Sequence, residues 1–92
     1  MSNKNSILII DDDDAVRDSI ALYLDEVGYQ VYQASDGEQG LVLQQELLPD
    51  MVLCDLRMPK KDGISVLREL NEASPDTPII VISGAGEISD VV

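Results

Sequence analysis

Three places in the sequence set acids or a hydroxyl directly after runs of aliphatic residues. Asp11-Asp12 follows Ile7-Leu8-Ile9-Ile10, Asp55 follows Met51-Val52-Leu53-Cys54, and Ser83 follows Ile79-Ile80-Val81-Ile82. Carboxylates brought together repel: a pair at 4 Å costs about 1 kcal/mol in water and about 4 kcal/mol at an effective dielectric of 20. Three in one crevice must take up protons or hold a cation. The chain has no histidine. That excludes a His-ligated metal, a serine–histidine nucleophile pair and a histidine base, and it leaves oxygen as the ligand. Oxygen ligands point to Mg²⁺ or Ca²⁺ and away from Zn²⁺ or Cu²⁺. Mg²⁺ takes one or two carboxylates and leaves room for a phosphate oxygen. The implied chemistry is attack by Asp55 on a phosphoryl group to form an acyl phosphate, with Ser83 donating to a phosphoryl oxygen.

Each feature also has a plainer role. Asp11 to Asp14 alone reads as a helix-capping turn, Asp55 alone as a turn residue and Ser83-Gly84 as an ordinary loop start. Their joint placement favours the chemical reading, and it follows from the elements that position them. The run Ile7–Ile10 has the pattern of a strand buried on both faces. Val16, Ile20, Leu24 and Val27 then recur at helical spacing with Tyr23 alongside, and Gly28 stands where a helix stops. Tyr29–Ala34 predicts a second strand. A second helix is predicted over Glu38–Leu47, although Leu41-Val42-Leu43 blurs its apolar face. Met51–Cys54 is the third strand. Val66, Leu67, Leu70 and Ala73 share one face of a third helix, Ile79–Ile82 is the fourth strand, and Glu87–Val92 reads as the start of a fourth helix.

Strands alternating with helices through short connections imply an α/β fold: a three-layer, doubly wound parallel sheet. In such sheets ligands bind at the carboxyl ends of the strands. Asp11, Asp12, Asp55 and Ser83 all lie at those ends.

The 92 residues allow one domain at most, and 45% apolar residues are enough for a core, which is aliphatic because there are three Tyr and no Phe or Trp. Six basic against eighteen acidic residues give a net charge of −12, which disfavours contact with nucleic acid or an anionic membrane by this segment. No apolar run reaches membrane-spanning length, and Met1–Ser6 is too polar for a signal peptide. The single Cys54 forms no intramolecular disulfide and reads as a core thiol in a cytoplasmic protein.

Together these residues resemble the receiver domain of two-component response regulators, whose fold is flavodoxin-like. Ile7–Asp12 with Arg17 is similar to the family's first strand and acidic pair. Asp55-Leu56-Arg57-Met58-Pro59-Lys60-Lys61-Asp62-Gly63 is similar to its phosphorylation loop, with proline four and glycine eight residues after the aspartate. Ile79–Gly84 is similar to its fourth strand and switch hydroxyl. The resemblance implies strand order 2-1-3-4, with Asp55 as phosphoacceptor for a sensor histidine kinase or phosphotransfer protein. It implies Mg²⁺ as cofactor, held by Asp55, by Asp12 directly, by Asp11 mostly through water and by the Arg57 carbonyl. Ser83 turns its hydroxyl to the phosphoryl group, the side chains of Arg57 and Ala85 influence phosphate loss, and Asp13 and Asp14 cap a helix.

The same resemblance places an invariant lysine and an aromatic switch residue on a fifth strand followed by a fifth helix. Residues 1–92 are therefore expected to form a partial receiver, with 1–6 as a leading tail and the fifth strand and last helices missing. Lys4, Lys60 and Lys61 do not replace that lysine, so the polypeptide alone is expected to bind Mg²⁺ but to accept phosphate poorly. An uncovered Ile79–Ile82 edge and sheet face are expected to drive self-association or rearranged packing.

Two other functions compete. Asp12 to Val16 has the spacing of a haloacid-dehalogenase-type phosphatase loop, with Asp12 as its first acid, but that reading leaves the loop after Asp55 unexplained. A pseudo-receiver that binds without turnover is disfavoured by retention of Asp11, Asp12, Asp55 and Ser83. A calcium-binding loop is weaker still, because the aspartate run lacks the central glycine and terminal glutamate of an EF-hand.

Overall fold

The computed structural model describes residues 5–55, 63–82 and 88–91. Their elements run β1 (Ser6–Ile10), α1 (Asp14–Val27), β2 (Gln30–Ala34), α2 (Gly37–Leu47), β3 (Met51–Asp55), α3 (Gly63–Ala73), β4 (Ile79–Ile82) and β5 (Ile88–Val91). They build one sheet in the order β2-β1-β3-β4-β5, in which the first four strands are parallel. The 2-1-3-4 order is the one the receiver resemblance implies.

Both faces of the sheet are covered, as continuous aliphatic strands require. Side chains alternate along each strand. Leu8, Ile10, Ala34, Val52, Cys54 and Ile79 therefore point to one side, where Val66 and Leu70 of α3 close a buried core. Ile7 and Ile9 point to the other side, against Ala21 of α1. The layers are helix, sheet, helix.

The helix ends follow local chemistry. The Asp13 carboxylate accepts from the backbone N–H groups of Ala15 (3.0 Å) and Val16 (3.1 Å), capping two otherwise unpaired donors of α1. Asp14 is the first residue of the helix. At the other end Gly28 adopts φ 118°, where a side chain would be strained, and its N–H and that of Tyr29 return to the Leu24 carbonyl. Asp36 caps α2 by accepting from the Gln39 N–H at 2.8 Å. Below the sheet, the Asp50 carboxylate accepts from the Ser6 N–H at 2.7 Å, tying the start of β1 to the start of β3.

Glu87–Val92 does not open a helix: Ile88–Val91 is β5, antiparallel to β4, pairing Ile79 with Val91 and Ile82 with Ile88. The antiparallel ladder gives the otherwise unpaired backbone groups of β4 partners. The Ile79–Ile82 edge is accordingly covered, which removes the expected route to self-association through it.

The buried stripe of α1 is also rotated from the expected one. It comprises Arg17, Ile20, Ala21 and Leu24, while Val16, Tyr23 and Val27 are exposed. In α3, Val66 and Leu70 are fully buried and Leu67 half-buried, but Ala73 at the helix end is exposed.

The inner face of α2 is made by Gly37, Gly40 and Gln44 rather than by the Leu41–Leu43 run. A Cβ on Gly40 would overlap the Ile10 side chain, so glycine allows this helix to lie directly on β1.

Candidate functional site

The acidic site is built by register. Ile10 of β1 lies opposite Cys54 of β3, so the next residues, Asp11 and Asp55, emerge side by side at the carboxyl end of the sheet. Asp55 is itself the last residue of β3 and lies opposite Ile82 of β4. The Asp11 N–H continues the β1–β2 pattern by donating to the Ala34 carbonyl at 3.1 Å. Asp12 follows at the turn into α1. Carboxylate oxygens of Asp11, Asp12 and Asp55, one from each, all lie within 4.8 Å of one another.

Their surroundings differ. Asp11 is 3% exposed, Asp55 is half-buried and Asp12 is exposed. The Asp11 carboxylate accepts from the Asp13 N–H at 2.9 Å. Burial raises the pKa of Asp11 above the usual 3.8; the Asp13 N–H works against that rise, and the charges of Asp55, Asp12 and Asp13 add to it. Cys54, just before Asp55, donates its thiol to the Asp55 carbonyl at 3.5 Å. Burial, with the charges of Asp55 and Asp11 behind it, pushes the thiol up to about 12. A thiol so placed stays neutral and packs in the core, as its place in the apolar run indicates.

The cluster fits a hard divalent cation. Its donors are all carboxylate oxygens, close enough to share one ion. Asp12 and Asp55 offer the more accessible oxygens.

Arg17, which the sequence marked only as part of the first-strand pattern, borders the site. Arg17 Nη1 donates to the Asp11 carbonyl at 2.8 Å, and its Nε donates to Gln33 Oε1 at 3.0 Å. Its place near the Asp13-Asp14 pair was the available signal, because a cation one turn into a helix reaches back to acids at its start. Gln44 of α2 is fully buried and donates from Nε2 to the Leu70 carbonyl at 3.1 Å, bridging the two helices under the sheet. A polar residue within an apolar-looking helix gave no sign of that.

Arg57 and Ser83 lie outside the described residues, as do Ala85 and the three lysines. Ser83 follows Ile82, the residue opposite Asp55 in the β3–β4 ladder.

Residues 7–92 match the family model described as the response regulator receiver domain. The chain belongs to this receiver family. It is 41% identical over 88 residues to RpaA of Synechocystis sp., a DNA-binding dual master transcriptional regulator, covering 94% of this chain and 36% of RpaA. The chain thus spans little more than a third of that relative's length. Its fold is similar to the receiver domain of the hybrid histidine kinase CckA, with TM-score 0.81 and 35% identity, covering 88% of this chain and 77% of that one. A CheY-like receiver from Methanospirillum hungatei superposes with TM-score 0.87 at 29% identity, covering 89% and 66%. The receiver is a regulatory domain. Among its described residues, no helix is long and apolar enough to cross a membrane.

Proposed function

We propose that this receiver is the phosphoacceptor module of a two-component response regulator and that Asp55 carries the phosphoryl group. The observation behind this is the convergence of Asp11, Asp12 and Asp55 within 4.8 Å at the carboxyl end of the sheet. The donor is a phosphohistidine of a sensor histidine kinase or phosphotransfer protein. A carboxylate oxygen of Asp55 attacks phosphorus as the bond to the imidazole nitrogen breaks, leaving an acyl phosphate on Asp55. Asp12 and Asp55 and the Arg57 carbonyl are the proposed Mg²⁺ ligands, with Asp11 acting through water. Bound Mg²⁺ would neutralise the carboxylates and supply counter-charge to the phosphoryl oxygens. Ser83 donates its hydroxyl to one of those oxygens.

The proposed location is the cytoplasm. Nucleic-acid contact is assigned to other parts of a longer regulator, since this segment carries a net charge of −12. Lys4, Lys60 and Lys61 do not match the family lysine, so the 92-residue polypeptide is proposed to be a slow acceptor.

Incubation with a radiolabelled phosphoramidate tests the proposal. Slow, Mg²⁺-dependent, hydroxylamine-labile labelling is expected, abolished in Asp55→Asn and reduced in Asp12→Asn. Label that survives in Asp55→Asn but not in Asp12→Asn would instead support the phosphatase-type reading. Rapid labelling of the polypeptide alone would refute its dependence on the family lysine.

A further inference from the structure

Arg17 sits on the inner stripe of α1 with its side chain only 13% exposed, although it pairs with Asp14, whose side chain is 79% exposed. Its guanidinium reaches three separate segments. Nη1 donates to the Asp11 carbonyl at 2.8 Å, Nε to Gln33 Oε1 on β2 at 3.0 Å, and Nη2 to Asp14 Oδ1 at 2.6 Å. The Asp14 contact is an exposed ion pair of small worth. The Asp11 contact is part-buried and charge-assisted, and of a different kind. The carbonyl it holds belongs to the peptide joining Asp11 to Asp12, so fixing that peptide fixes how the two acids stand to each other.

From these contacts we infer that Arg17 is a positioning residue, which locks the Asp11–Asp12 peptide against β2 and so holds the acidic cluster in its cation-binding arrangement. The inference rests on the reading that Asp11, Asp12 and Asp55 bind a divalent cation. Arg17 is itself a cation beside the cluster, and by Coulomb repulsion alone its removal would tighten Mg²⁺ binding. If Arg17 positions the acids, its removal weakens binding despite the lost repulsion. Lysine would keep the charge but not the planar fork that serves three acceptors.

The test is calorimetric titration of the 92-residue chain with MgCl₂, for wild type, Arg17→Gln and Gln33→Met, with urea unfolding of each. Gln33→Met removes the Nε anchor without changing charge or touching the cluster. Wild type is expected to bind saturably, Arg17→Gln about tenfold more weakly, as for loss of a supporting contact around a metal site, and Gln33→Met several-fold more weakly. A merely structural role would lower the urea midpoint and leave the affinity of the folded protein unchanged. Equal or tighter binding by folded Arg17→Gln overturns the inference while the cation reading stands. If Arg17→Gln fails to fold, Gln33→Met decides, and wild-type affinity in that variant overturns it. Absence of binding by wild type overturns the cation reading and this inference with it.

Discussion

Ile10 and Cys54 face each other across the parallel β1–β3 ladder, and this single register places Asp11 beside Asp55. Because side chains alternate along a strand, a slip of one residue would set Ile10 and Cys54 on opposite faces of the sheet and separate the acids. The apolar runs that drive folding therefore also set the geometry of the site.

The first consequence concerns Asp11 and pH. Its folded pKa lies above the unfolded value, so the folded state binds the proton more tightly. Stability falls as pH rises from the ordinary carboxylate value through the raised one, and the cost is fully present above it. Asp11→Asn removes that charge and keeps an oxygen for the Asp13 N–H. In metal-free buffer the variant is expected to have the higher urea midpoint at neutral pH, with the gap closing as pH falls into the carboxylate range. A variant less stable than wild type at neutral pH would contradict this.

Cys54 should be chemically silent in the folded protein. It is fully buried and its thiol is pushed up to about 12, so little thiolate exists at neutral pH. Iodoacetamide is expected to alkylate it only after denaturation. Rapid alkylation under native conditions, followed by mass spectrometry, would refute this.

Gly40→Ala probes the contact of α2 with β1. A Cβ there would lie 2.7 Å from Ile10 Cγ1 and overlap the end of that side chain. Overpacking of this kind costs about 1–3 kcal/mol, outweighing the better helix propensity of alanine. Denaturant unfolding reads the loss, and an unchanged midpoint would show that the helix shifts freely.

Gln44 is a buried polar group with one satisfied end. Nε2 bonds the Leu70 carbonyl, but Oε1 has no hydrogen-bond partner among the described residues. Leu70 also accepts from the Ser74 N–H at 3.0 Å, so its carbonyl keeps a partner without Gln44. Gln44→Met, of similar length, is expected to be neutral or to stabilise by about 1 kcal/mol. A large loss in urea unfolding would show that Oε1 has a polar role.

Much of this was legible from the residues. The aliphatic runs Ile7–Ile10, Met51–Cys54 and Ile79–Ile82 marked parallel strands because strands covered on both faces are apolar throughout, and Asp11, Asp12 and Asp55 were placed by standing at the ends of two of those runs. Gly28 marked the end of α1 through its left-handed conformation. The rest depended on tertiary geometry. The exposed Val16, Tyr23 and Val27 imitate a helix core face, while the true stripe includes Arg17, whose stem is buried and whose head serves backbone and side-chain acceptors. At Gly40 the absence of a side chain makes the contact, which a search for apolar spacing passes over. Ile88–Val91 became a strand because β4 offered a ladder, a fact about its neighbour rather than about its own residues.

Chemical mapping of the phosphorylated residue decides whether Asp55 carries the phosphoryl group. After incubation with phosphoramidate and Mg²⁺, borohydride converts an aspartyl phosphate to homoserine, which peptide mass spectrometry locates. Homoserine is expected at position 55, and only when Mg²⁺ is present. Homoserine at position 11 or 12, or none at position 55 under saturating donor, would contradict it.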